Sequence, residues 1–228
     1  MSILIGCAHG TRDTDGQATI RQIVEDIRAA MPHHEVREAY VDVHGPFVAD
    51  VVEGIAPVDG TSAVVVPLLL AGGYHVYHDI AKAVEGREDV ASAPALGPDQ
   101  RLIDIVLERV AAAGVPETAT LILAAAGSSD PRSQADTEQA AEMLRARWGG
   151  PVRIGYAAGI HPTVADAVVD ARAYGEDEVV AVASFLLAPG VFQKRLGESG
   201  ADYVTAPLAP HPNLVSIVMD RYRDAGGG

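Results

Sequence analysis

The chain has 228 residues, with 31 Asp and Glu against 17 Lys and Arg and a formal net charge of −14. Such a field repels nucleic acid and anionic membrane and excludes both as partners. The single cysteine, Cys7, excludes an internal disulfide and reads as a small buried hydrophobe rather than a nucleophile.

The N-terminus enters an apolar run at once, with no basic segment ahead of it. The longest apolar run, residues 179–191, is shorter than the roughly 20 residues a membrane span needs. A soluble, cytoplasmic protein is expected. At this length the chain makes one large domain or two of about 110 residues.

The elements alternate. Residues 2–8, rich in Ile and Leu and stopped by His9-Gly10, predict a strand. Residues 17–31 predict a helix, with Ile20, Ile23, Val24 and Ile27 on one face and Pro32 ending it. A strand over 36–43 and a short helix over 47–55 follow, Pro46 suiting a first turn. Residues 63–70, nearly all apolar, predict a strand buried on both faces, with Pro67 near its end or at a bulge. A helix over 76–84, a strand over 90–92 and a helix over 101–113 complete the first half.

Gly114-Val115-Pro116 is the expected joint. Strands over 118–125, 152–157, 178–187 and 201–205 then alternate with helices over 134–148 and 163–173, a short helix after Pro189, and a helix over 213–224. Strands separated by helices imply parallel sheets with right-handed crossovers. The fold class is α/β, with two similar doubly wound domains over 1–115 and 116–228. Such sheets bind ligands at the carboxyl ends of their strands. His9, Asp42 and His75 all fall on that rim of the first sheet.

The two halves share a text. LIGCAHGTRD at Leu4 faces LILAAAGSSD at Leu121, and PLLLAGGYHVYHDI at Pro67 faces SFLLAPGVFQKRL at Ser184, both at an offset of 117. GPFVADVV at Gly45 faces HPTVADAV at His161 at 116, and RLIDIVLER at Arg101 faces NLVSIVMDR at Asn213 at 112. The blocks describe an internal duplication. Ala126 stands opposite His9, Phe192 opposite His75 and Ala158 opposite Asp42, so only the first copy keeps its potential ligands.

Two histidines on one rim, lost together in the other copy, point to a metal or a proton. Asp42 completes a two-His, one-carboxylate set with open positions, suited to a divalent first-row metal. Glu38, four residues earlier on the same strand, is a rival carboxylate. His78 is an auxiliary candidate one helical turn after His75. His33, His34, His44, His161 and His211 read as surface or turn residues. AAAGSSDP, at Ala124, lacks the spacing and the lysine of a phosphate loop.

LIGCAHGTRD, YVDVHGP and VVVPLLLAGGYHVYHDI, with AAAGSSDP and GIHPTVADAV in the second copy, resemble class II chelatases of the sirohydrochlorin type, over almost the whole chain. The resemblance implies an ATP-independent chelatase that inserts a divalent metal into sirohydrochlorin. Fe2+ and sirohaem come first, with Co2+ and cobalamin precursors, or a non-catalytic metal or tetrapyrrole carrier, as alternatives. It implies His9, Asp42 and His75 as metal ligands, with His9 and His75 catalytic. At the third ligand this chain has Tyr40-Val41-Asp42 where the family commonly has Phe-Leu-Glu, a carboxylate one methylene shorter. Gly10, Thr11, Arg12, Gly72, Gly73, Tyr74, Phe192, Lys194 and Arg195 are the expected substrate contacts, and Lys82 is a further cation near the rim. No tightly bound cofactor is implied. Single-repeat members pair as homodimers, so a two-repeat chain is expected to be a monomer that builds the cleft internally.

Overall fold

The computed structural model describes residues 2–57, 59–73, 75–173 and 179–228, and for 75–77 only the backbone. The first repeat runs β1 (Ile3–Ala8), α1 (Thr14–Ala30), β2 (Val36–Tyr40), α2 (Val48–Glu53), β3 (Ala63–Pro67), a π-helical turn (His75–Ile80), α3 (Ala81–Ala83), β4 (Val90–Ser92) and α4 (Gln100–Ala112). The second runs β5 (Thr120–Ala125), α5 (Pro131–Arg145), β6 (Val152–Tyr156), α6 (Val164–Arg172), β7 (Val180–Phe185), α7 (Val191–Gly197), β8 (Tyr203–Val204) and α8 (Pro212–Asp224).

Each repeat builds one fully parallel four-stranded sheet, in the orders β2-β1-β3-β4 and β6-β5-β7-β8. The order reverses between the first and third strands of each sheet, so the loops after β1 and β3 flank a switch point. The central strands are buried on both faces, as expected: Ile5, Cys7, Val64 and Val65 in one sheet, Leu121, Ile122, Val182 and Ala183 in the other, are wholly inaccessible. Pro67 is the last residue of β3, where a missing donor costs the ladder little.

Boundaries differ from the expected ones where caps and turns override periodicity. α1 begins three residues earlier than expected, because the Asp13 carboxylate accepts from the amides of Asp15 and Gly16. α5 likewise starts at Pro131, capped by Asp130. β2 ends at Tyr40, so Asp42 lies in the following loop rather than at a strand end.

The compact units are Met1–Gly97 with Pro210–Gly228, and Pro98–Ala209. The repeats divided at 115/116 in sequence therefore exchange their last helices. In the first unit α8 covers β3 and α1, burying Leu214, Ile217, Val218 and Tyr222. Arg221 donates to the carbonyls of Ala95 (2.9 Å) and Leu96 (3.0 Å), and the Tyr222 hydroxyl to that of Ser2 (2.6 Å). In the second unit α4 packs on β7 and α5, and Arg109, the repeat equivalent of Arg221, donates to Pro207 (3.1 Å) and Leu208 (3.0 Å).

Candidate metal and substrate site

The loops after β1 and β2 are stitched together at the carboxyl end of the first sheet. The ladder continues past the strands, with Val41 N–H donating to the Ala8 carbonyl and Asp42 N–H to the His9 carbonyl, both at 3.0 Å. This fixes His9 and Asp42 on one rim as backbone neighbours. Gly10 follows at φ 97°, and a Cβ there would collide with the Asp42 carbonyl oxygen. The absence of a side chain at Gly10 thus admits the close approach of the neighbouring loop.

His9 is exposed, and its Nδ1 lies 3.2 Å from the Gly10 carbonyl. A carbonyl only accepts, so in this bond Nδ1 carries the proton. Asp42 is exposed as well. Its Oδ1 accepts from the Val43 amide at 2.7 Å, and its backbone carbonyl accepts from His44 N–H at 2.8 Å. That second bond closes a γ-turn with Val43 at φ 70°. A β-branched residue in this region costs about 1–2 kcal/mol.

Glu38 belongs to a different environment. It accepts from the Tyr40 hydroxyl at 2.7 Å. Burial, and then that carboxylate, push the Tyr40 phenol well above its ordinary value. Glu38 thus holds a core tyrosine, whereas Asp42 sits on the open rim. Asp42→Asn is expected to lower metal insertion about 100-fold with the melting temperature unchanged, while Glu38→Gln costs about 1 kcal/mol of stability and less than about threefold in rate. Initial rates and thermal melts of the two variants check this; the reverse order would make Glu38 the functional carboxylate.

His44 was expected in a turn and is there, its Nδ1 3.0 Å from the Gly45 carbonyl. Sequence reading missed its ring contact with Tyr40, at 4.1 Å between centroids, and the burial of its Nε2 without a hydrogen-bond partner. The Tyr-x-x-x-His spacing was the only signal. The thiol of Cys7, buried below the rim, is pushed up to about 12 by desolvation and then by Asp79, and is an inert core group.

The loop after β3 carries Gly72, buried, and Gly73, half-buried. The helix expected over 76–84 begins as a π-helical turn at His75. Tyr74 and the side chain of His75 lie outside the described residues. Among those described, no three His, Cys, Asp or Glu side chains converge on one point. His78 is exposed within the π turn. The wider winding of that turn changes the one-turn relation to His75 assumed for an α-helix.

The second repeat has the same scaffold without the ligands. Ala158 N–H donates to the Ala126 carbonyl at 3.0 Å, Gly127 sits at φ 95° against the Ala158 carbonyl, and Ile160 N–H closes the γ-turn on Ala158 at 3.0 Å. Thr11 shares a role with Ser128. Each hydroxyl accepts from the amide two residues on, at 3.1 Å, and each carbonyl accepts from a glutamine side chain, Gln17 at 2.8 Å and Gln134 at 3.1 Å. The GTRD and GSSD segments are therefore helix starts, which also accounts for the phosphate-loop look of AAAGSSDP. Arg12 is exposed.

α7 stands where the first repeat has its π turn. It exposes Val191 and Phe192, with Lys194 and Arg195 beside them. The Arg195 guanidinium lies 5.7 Å from the Phe192 ring centroid and reaches the Ala157 carbonyl at 3.3 Å.

The CbiX family model matches the chain twice, over residues 3–113 and 120–225. The chain belongs to the CbiX family. The two matches coincide with the duplicated halves of the sequence, so each half is a copy of the family's repeat. A sirohydrochlorin ferrochelatase of Priestia megaterium is 24% identical over 209 residues, 87% of this chain and 77% of that protein. A sirohydrochlorin cobaltochelatase of Sulfolobus acidocaldarius is 25% identical over 104 residues, 44% of this chain and 83% of that protein. That relative therefore has about the length of one repeat. Among solved structures, SirB from Bacillus subtilis with Fe3+ superposes with a TM-score of 0.79 at 20% identity, covering 99% of this chain and 96% of that one. The family's fold thus extends over both repeats. No helix among the described residues is long and apolar enough to cross a membrane.

Proposed function

We propose that this protein is a metal chelatase that inserts Fe(II) into sirohydrochlorin, with the first repeat holding the metal. The observation that carries the reading is the joined rim of His9 and Asp42, matched in the second repeat by the same backbone with Ala126 and Ala158. A scaffold that keeps its turn while losing the imidazole and the carboxylate supports a functional role for those two side chains. A ferrochelatase that matches 87% of this chain supports iron as the metal.

In this mechanism the His9 Nε2 and the free oxygen of Asp42, with His75, hold the divalent substrate ion. Histidine nitrogens suit first-row metals, and a single carboxylate leaves sites open for the ring. As the metal passes to the macrocycle, two pyrrole N–H protons leave. His9 accepts one at Nε2 once the metal has departed, and its Nδ1–H stays on the Gly10 carbonyl. His75 or Asp42 takes the other. Gly10, Thr11, Arg12, Gly72, Gly73 and Tyr74 of the first repeat frame the substrate.

Anaerobic initial rates with equal Fe(II) and Co(II), followed by sirohydrochlorin absorbance, test the choice of metal. Faster insertion of Fe(II) is expected. A clear preference for Co(II) moves the protein to the cobalamin branch. Tight binding with no rate above the protein-free reaction makes it a carrier.

A further inference from the structure

Each repeat has a left-handed γ-turn two residues past its second strand, and the two turns differ in one informative way. In the second repeat the position is Gly159, at φ 81°, with open space around a would-be Cβ. Glycine is there for its backbone freedom, not for lack of room. In the first repeat the same turn is imposed on Val43, at φ 70°, a residue that resists it. Core packing does not explain the valine, because its side chain is 38% exposed. Strain that a glycine relieves in the copy without ligands is kept in the copy with them.

Building on the chelatase reading, we propose that the Val43 side chain is a substrate contact: an apolar stop for the face of a flat tetrapyrrole, set beside the carboxylate that holds the metal. Three bonds fix it relative to that carboxylate. The Val43 amide donates to Asp42 Oδ1, His44 N–H donates to the Asp42 carbonyl, and Asp42 N–H donates to the His9 carbonyl. A β-branched side chain has few rotamers, so on this turn it presents a nearly rigid surface. Phe47, four residues further on, is a second exposed apolar side chain, at 43%. A macrocycle with carboxylates at its edge and an apolar face matches a rim of this kind, whereas a free metal ion has no use for it.

Three variants separate the side chain from the backbone. Val43→Gly and Val43→Asn both accept the left-handed turn, the second with a polar side chain, and Val43→Ile restores a β-branched apolar one. The glycine and asparagine variants are expected to melt no lower than wild type and to bind Co(II) with unchanged affinity in equilibrium dialysis. Their KM for sirohydrochlorin is expected to rise about tenfold, and Val43→Ile to stay within about twofold of wild type. An unchanged KM in both the glycine and asparagine variants overturns the proposal. So does a loss of Co(II) affinity that accounts for the whole effect, which would place the role in Asp42 alone. If wild type itself inserts no metal, the chelatase reading fails first, and this assignment with it.

Discussion

Replacing His9 with alanine is expected to lower metal insertion by roughly 10²–10⁴-fold while leaving the fold untouched. The structural half of this expectation rests on the second repeat, where Ala126 occupies the same turn and its carbonyl accepts the same 3.0 Å bond. His9 is exposed, so its removal leaves no cavity and changes stability by less than about 0.5 kcal/mol. The chemical half rests on the Nε2 lone pair, which alanine cannot replace. His75→Ala is expected to behave alike. Insertion rates, Co(II) binding and urea melts of the two variants check both halves; a folded His9→Ala protein of normal rate would remove His9 from the mechanism.

The exchange of terminal helices has the second large consequence. A chain cut after residue 115 retains β1 to α4 but loses α8, whose Leu214, Ile217, Val218 and Tyr222 are buried on the first unit. At roughly 1.5–3 kcal/mol for each buried side chain, the loss is comparable with the whole stability of a domain, about 5–15 kcal/mol. Residues 1–115 are therefore expected to have no folded monomeric state. Because α4 and α8 descend from one repeat block, a fragment that recovers structure should do so as a dimer, with α4 of one copy taking the place of α8 in the other. Far-UV circular dichroism with light scattering reads the result. A cooperative unfolding transition of the monomeric fragment would show that the first repeat keeps its own helix.

Much of the fold was legible because it rests on local patterns. Apolar runs such as 63–70 mark doubly buried strands, and the amphipathic period of Ile20, Ile23, Val24 and Ile27 marks α1. The duplication was also visible, with Ala126, Ala158 and Phe192 standing opposite His9, Asp42 and His75. What escaped depended on contacts far apart in sequence or on residues used against their preference. Nothing in Arg221 says that it clamps Ala95 and Leu96 rather than its own repeat. Val43 is among the last residues expected at positive φ, so the apolar pattern predicts β2 through residue 43, with Asp42 at the strand end. Asp13 and Asp130 started their helices early because their caps outweighed the Gly16 and Ser133 that blur the first turns.

The most direct test is an anaerobic absorbance time course of sirohydrochlorin with Fe(II), run with wild-type protein, with the His9→Ala protein and with none. The account predicts rapid conversion to the metallated spectrum with wild type and rates near the protein-free reaction with His9→Ala. Equal rates in all three, from folded proteins, would contradict it.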